Sequence, residues 1–378
     1  MMRIFAQNSF IDGKFQPATI EVSGDLISGI ELGPLAASKE VEIRYDRGYL
    51  VPGLIDLQLN GVAGVDFSSG SKEQIEVALA ALPQTGTTSL CPTVITSAPA
   101  QIQKQLDVFS KMGHVAGSAR SLGVHLEGPV ISSEKKGAHA LGHILSGTQF
   151  LASGIDLGQV RILTLAPEVE GANEVIGLAK ANNVLVSLGH STADSTQAKK
   201  AKELGASMVT HLFNAMPKIH QREPGIVTAA LLDDSMFFGL IVDGEHVAHE
   251  LVDLALRLGA DRAVIVSDAS AALLSKTGQK VQMGGTEIVV SEGGVAKRED
   301  GTLASSGMSQ LQAIEARVRG GLSREVLLRS ATSIPANVLG ESRLGRLEMG
   351  ATADIVHYQV DTVPMVDMVL ISGEKCPL

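Results

Sequence analysis

RILTLAPEVEGANEVIGLAKANNVLVSLGHSTADSTQAKKAKELGASMVTH, residues 161–211, alternates between two periodicities. RILTLAP, NVLVSLG and ASMVTH are short apolar runs of the kind that form buried strands. ANEVIGLAKANN and STQAKKAKELG, between them, carry helical spacing. The order strand, helix, strand, helix, strand calls for parallel strands joined by helical crossovers. The same pattern runs outward from about residue 50 to about 340. YLVPGLIDL, TTSLCPTVI, SLGVHLE, MFFGLIV and RAVIVSD complete a set of eight strand candidates, and EQIEVALAALPQ, AQIQKQLDVFSKM and HELVDLALRLG add helices. Eight alternations predict an α/β fold of the closed (β/α)8 TIM-type barrel rather than an open doubly wound sheet.

The chain has 378 residues, and a barrel of this class takes roughly 250, so room remains for one smaller unit. Residues 1–48 read as short strands, with hairpin signals at Asp12-Gly13 and Gly24-Asp25. The tail, RLGRLEMGATADIVHYQVD, returns to strands. The expected organisation is a small discontinuous β-sandwich from residues 1–48 and 345–378, with a barrel over 49–344. Residues 280–297 read as an inserted hairpin, and SQLQAIEARVRG and SREVLLRSAT as helices. Only 3% of residues are aromatic, so branched aliphatics must fill the core, as suits parallel strands covered on both faces.

A net charge of −10 argues against a nucleic-acid binder, and leaves any anionic substrate dependent on a local cationic pocket. Two cysteines, Cys91 and Cys376, make a disulfide scaffold implausible and fit a reducing compartment. The opening MMRIFAQNSFIDGKFQ lacks the apolar run of a signal peptide, and no stretch approaches the roughly 20 apolar residues of a membrane span. A cytoplasmic protein without a membrane partner is expected.

Four polar residues sit where strand candidates end: Glu127 after SLGVHLE, His190 after NVLVSLG, His211 after ASMVTH and Asp268 after RAVIVSD. Parallel barrel strands converge at one mouth, where barrel active sites are built. Two imidazoles and a carboxylate make a three-ligand set for a divalent ion with a position left for water. A further carboxylate, Asp268, is then free to take a proton from water and return it to a leaving amine. Singly, each residue has a plainer reading. A histidine after a strand is more often structural, Glu127 suits a helix cap or a lysine partner, and Asp268 suits the N-cap of Asp-Ala-Ser-Ala-Ala. Their convergence favours a site. His114, His143, His220, His249 and His357 have no such placement, and His125, two residues before Glu127 on the same strand face, is a core or supporting group.

In order along the chain stand PGLIDLQLNG (52–61), HLEGP (125–129), KKGAH (135–139), LGHS (188–191), THLFNAM (210–216), REPG (222–225), DGEHV (243–247), SDA (267–269) and GTLA (301–304). In these segments the chain resembles the N-acetylglucosamine-6-phosphate deacetylases of the metal-dependent amidohydrolase superfamily. The resemblance implies that Glu127, His190 and His211 bind the metal, that Asp268 is general base and acid, and that His139 assists at the acetyl carbonyl. It implies substrate contacts from Ala138, His139, Asn214, Ala215 and His246 and from the run Leu303, Ala304 and Ser305. It makes Arg222 the phosphate clamp, reaching the neighbouring active site of a homodimer, a task that suits a guanidinium. Where many relatives carry His-x-His after the first strand, this chain has Gln58 and Asn60, neutral amides that are poor metal ligands, so one divalent ion per subunit is expected: zinc, with iron, cobalt or manganese as alternatives. Asp56 reads as a buried hydrogen-bonding residue. The run SDASAALLSK, the HALGHI after KKGA, and Ser305 in place of a glycine depart from the usual pattern and touch the sugar pocket. They leave N-acetylgalactosamine 6-phosphate as the competing substrate, beside a non-phosphorylated amide.

Overall fold

The computed structural model describes residues 1–36, 40–290, 296–297 and 303–378. Eight parallel strands form the barrel sheet: strand one Leu54–Leu59, two Thr87–Ile95, three Val124–Glu127, four Val160–Leu165, five Leu185–Leu188, six Ala206–Val209, seven Phe237–Leu240 and eight Ala263–Ile265. Each neighbour in that series pairs in parallel with the next. All the strand candidates are strands in the structure. Helices such as Lys72–Ala81, Ala172–Ala181, Ser195–Leu204 and His249–Gly259 cover the outside. Their starts are fixed locally: Asp194 and Ser71 each cap the third residue onward, Gln197 and Gln74, which bonds back to the cap.

Strands one and eight close the ring differently from the rest. Beyond strand eight, the Asp268 amide donates to the Gln58 carbonyl at 2.9 Å and the Asn60 amide to the Ala269 carbonyl at 2.7 Å. Lower in the seam a side chain replaces the ladder. Gln310, the first residue of helix Gln310–Arg319, donates Nε2 to the carbonyls of Ile55 (3.1 Å) and Ile265 (2.8 Å). Asp56 lies buried in the same seam and accepts from the amides of Gln58 and Ser267, both at 3.2 Å. Burial pushes its carboxyl up to about 7, against those hydrogen bonds.

Strands from both termini form a separate sheet. Its order is Glu374–Lys375, Pro364–Ile371, Ile355–Val360, Tyr49–Pro52, Met2–Ile11, Lys14–Ser23 and Leu26–Leu32, with Ile43–Tyr45 also on Met2–Ile11. Alternate residues face opposite ways. Ile4, Leu50, Ile355 and Leu370 enclose the sheet's own core, whereas Phe10, Val51, Val356 and Ile371 pack on the barrel. The run YLVPGLIDL is therefore two strands, split at Gly53. A Cβ there would lie 2.0 Å from Thr88 Oγ1, so a glycine lets the chain cross from sheet to barrel. The inserted hairpin pairs Lys280–Met283 with Thr286–Val290. Val281, Met283, Ile288 and Val290 pack on Ala271 and Ala272, just after Asp268, with Ala138 against the same cluster.

Replacing Gln310 with Leu leaves two buried carbonyls unpaired, at about 1–3 kcal/mol each. The expected result is a clearly lower denaturant midpoint with metal stoichiometry retained. An unchanged midpoint rules out the side-chain closure.

Candidate metal centre and catalytic site

The three strand-end residues meet. Glu127 Oε1 is 3.1 Å from His190 Nε2 and 3.1 Å from His211 Nε2, and the two imidazole nitrogens are 3.1 Å apart. All three side chains are buried. An equilateral set of this size has a common point about 2 Å from every corner, the bonding distance of zinc to nitrogen or oxygen. The buried Glu127, His190 and His211 are thus able to hold a metal ion. His190 is oriented for this: its Nδ1 donates to the Lys135 carbonyl at 2.8 Å, which directs Nε2 at the centre. Burial favours a protonated Glu127, yet the two imidazoles hold its carboxyl well below the usual range.

The backbone around the centre is strained. His190 (φ 49°), His211 (φ 27°), Ala215 (φ 51°) and Asp268 (φ 47°) all adopt the left-handed region without being glycine. Neighbouring bonds hold them there. The His190 carbonyl accepts from the Ser132 amide at 2.9 Å. Glu168, past the end of strand four, accepts from Ser191 Oγ at 2.7 Å and from the amide (2.5 Å) and hydroxyl (2.9 Å) of Thr192, which pins the turn after His190.

Asp268 is placed by two carboxamides. Asn60 Nδ2 donates to its Oδ1 at 2.8 Å and Gln58 Nε2 at 3.3 Å, while the same Gln58 group also donates to Glu127 Oε1 at 3.0 Å. Burial, then the Glu127 charge, raises the Asp268 carboxyl above its ordinary value. A raised carboxyl binds a proton more readily. His139 sits edge-on to His190 with ring centroids 4.4 Å apart. Its Nδ1 is 2.7 Å from Thr96 Oγ1 and 3.3 Å from the Thr96 amide. An amide only donates, so Nδ1 accepts and the ring proton belongs on Nε2. Burial, then His190, lowers His139 to about 3, which keeps it neutral.

The remaining expected contacts are spread around this cluster. His246 is held by Asp243, Nδ1 to Oδ2 at 2.7 Å, and its charge bears on Asp268. Asn214 turns Nδ2 to the carbonyls of His211 and Leu212, both 3.4 Å away, and the Ala215 carbonyl accepts from the Ser191 amide at 3.2 Å. Ser305 Oγ donates to Ser270 Oγ at 2.6 Å, so two of the departures noted in the sequence touch each other. Arg222 is exposed on a loop and makes no hydrogen bond or ion pair among the described residues. The side chains of Leu303 and Ala304 lie outside the described residues. His125 is a buried supporting group, and His357 is buried against Asp367 and stacked on Tyr45. Gln58 and Asn60 read in the sequence as missing ligands; here Gln58 donates to both Glu127 and Asp268, and Asn60 to Asp268. Thr96 and Glu168 were not singled out, although each follows the end of a barrel strand.

The chain belongs to the Amidohydrolase family, whose model matches residues 49–376. It is similar to the N-acetylglucosamine-6-phosphate deacetylase of Homo sapiens, 40% identical over 86% of this chain and 82% of that protein. It is also similar to the N-acetylgalactosamine-6-phosphate deacetylase of Shewanella sp. (strain ANA-3), 35% identical over 94% of this chain and 90% of that one. Among solved structures, the N-acetylglucosamine-6-phosphate deacetylase of Pasteurella multocida superposes with a TM-score of 0.88 at 29% identity, covering 99% of each chain.

Removing the amide donor with Asn60→Leu is expected to lower turnover roughly 10–100-fold, the usual scale for a group supporting a metal site, with bound metal unchanged. Equal turnover dismisses the part of Asn60 in placing Asp268. A pH effect follows from Asp243 and His246. Burial opposes the Asp243 charge, but the bond from His246 and the backbone amides hold the carboxyl at about 2. Its contribution is present above its unfolded value of about 3.9 and is lost as pH falls toward about 2. His246 is raised by Asp243 against burial, so its contribution is present below about 6.5 and lost as pH rises through the folded value. Denaturant midpoints of wild type and Asp243→Asn should differ most between pH about 4 and 6.5 and approach each other near pH 2. A difference independent of pH refutes the pairing.

Proposed function

We propose that this protein hydrolyses the acetamido group of an N-acetylhexosamine 6-phosphate, with N-acetylglucosamine 6-phosphate as substrate, giving acetate and the amino-sugar phosphate. One observation carries the reading: three ligand atoms 3.1 Å from each other, with a carboxylate held beside them by two carboxamides. The names of the relatives that match over most of the chain support the substrate.

Glu127, His190 and His211 hold one divalent ion, zinc by their donor set, with iron, cobalt or manganese as alternatives. When bound, the ion makes water acidic enough to deprotonate near neutral pH and polarises the acetyl carbonyl. Asp268 takes the proton from the attacking water as the new C–O bond forms. His139 Nε2–H donates to the acetyl oxygen and steadies the charge that collects there. As the C–N bond breaks, Asp268 gives its proton to the departing nitrogen and ends as it began. Ala138, Asn214, Ala215, His246 and the strand Leu303–Ser305 line the sugar. Arg222 reaches the phosphate in the neighbouring site of a homodimer.

The galacto epimer is the second reading. The contact between Ser305 and Ser270 favours it, because both residues belong to the part of the pocket that departs from the usual pattern. Acetate release on the two 6-phosphates, measured side by side, decides the matter. A higher kcat/KM on the gluco sugar is expected, a higher value on the galacto sugar replaces the substrate, and no acetate from either ends the proposal. Asp268→Asn is expected to lose roughly 10²–10⁴-fold in turnover while still binding metal. Stripping with a chelator should abolish activity and added zinc restore it.

A further inference from the structure

One layer below the ligand atoms, a continuous run of hydrogen bonds joins the strands that carry them. Ser187 Oγ is 2.6 Å from Thr210 Oγ1, which is 2.6 Å from Thr164 Oγ1. Thr164 Oγ1 is 2.7 Å from His125 Nε2, and His125 Nδ1 is 2.8 Å from the Leu57 carbonyl. All four side chains are buried. The carbonyl at the end sets the direction of the whole run. It only accepts, so His125 carries its proton on Nδ1 and accepts at Nε2. Thr164 then donates to His125, Thr210 to Thr164, and Ser187 to Thr210.

The positions matter as much as the bonds. His125 precedes Glu127 by two residues on strand three, Thr210 immediately precedes His211, and Ser187 precedes the turn into His190. Thr164 is paired in register with Glu127 on one side and Ser187 on the other. At Gly189, a Cβ would come within 2.9 Å of both Thr164 Cγ2 and Thr210 Cβ, so the backbone before His190 rests directly on this layer. Valine would fill the threonine sites without burying a hydroxyl, so packing alone does not call for these residues. A hydrogen-bonded run with a fixed direction also constrains separation and angle, which apolar contact does not.

We propose that Ser187, Thr210, Thr164 and His125 are positioning residues for the metal centre. They set the relative depth of strands three, five and six and thereby keep Glu127 Oε1, His190 Nε2 and His211 Nε2 at a common bonding distance. The inference rests on the metal centre proposed above. It is tested by titrating zinc into metal-stripped wild type and Thr164→Val, Thr210→Val, Thr210→Ser and Ser187→Ala proteins against a chromophoric chelator. Melting of each stripped protein is recorded alongside. The two valine variants are expected to bind zinc roughly 10–100-fold more weakly, the range seen when groups behind a ligand are removed. Thr210→Ser should recover near wild-type affinity, and Ser187→Ala, which deletes only the first donor, should fall between. Zinc binding as tight as wild type in variants that merely melt earlier overturns the proposal and leaves the layer as ordinary core. If a valine variant does not fold, the order of Ser187→Ala and Thr210→Ser decides, with equal affinities in both and in wild type counting against it. A wild-type protein that takes up no zinc removes the centre itself, which is a different failure.

Discussion

Two imidazole nitrogens and a carboxylate oxygen, each 3.1 Å from the other two, form an arrangement that repels itself when it is empty of positive charge. With His190 Nδ1 donating to a carbonyl, Nε2 is the nitrogen directed at Glu127. Buried, these atoms have no water to satisfy them. A divalent cation between the three atoms satisfies them all at once, and the donor set, two nitrogens and an oxygen, suits one. The barrel exists, chemically, to hold this arrangement: three strands, each carrying one corner, locked side by side in a single ladder through strand four.

Holding it is costly to the backbone. His190, His211 and Asp268 all take left-handed φ values, a conformation that costs on the order of 1–3 kcal/mol at a non-glycine residue. The surroundings over-determine His190 and Asp268. Glu168 ties down the turn past His190, and the Asp268 amide is engaged by the Gln58 carbonyl across the seam. Gln58 has a double task, since its backbone fixes Asp268 and its side chain spans the gap between the Glu127 and Asp268 carboxylates. A neutral amide is well chosen for that gap. It separates two carboxylates without adding a charge to either.

Much of this was legible in the chain. Glu127, His190, His211 and Asp268 stood out because parallel strands send their ends to one place, and that rule needs no knowledge of partners. The barrel strands were legible for the same reason, as apolar runs bounded by helical spacing. The split of YLVPGLIDL was not, because it depends on Thr88 approaching Gly53 from a different strand. The work of Gln58 and Asn60 was not legible either. Their partners lie 69, 210 and 208 residues away, and local sequence says nothing about which donor meets which acceptor at that range. Seam closure by Gln310 escaped notice too, since a glutamine at a helix start looks like an ordinary first-turn residue.

The sheet built from both termini has a consequence for how the protein is made. Tyr49–Pro52 is flanked on one side by Met2–Ile11 and on the other by Ile355–Val360. While the ribosome is still delivering the barrel, the amino-terminal strands are complete but one edge of Tyr49–Pro52 has no neighbour. An edge of that kind invites pairing with another nascent chain. The molecule therefore carries an open β edge from the time Tyr49–Pro52 is made until Ile355–Val360, beyond the whole barrel in sequence, arrives to pair with it.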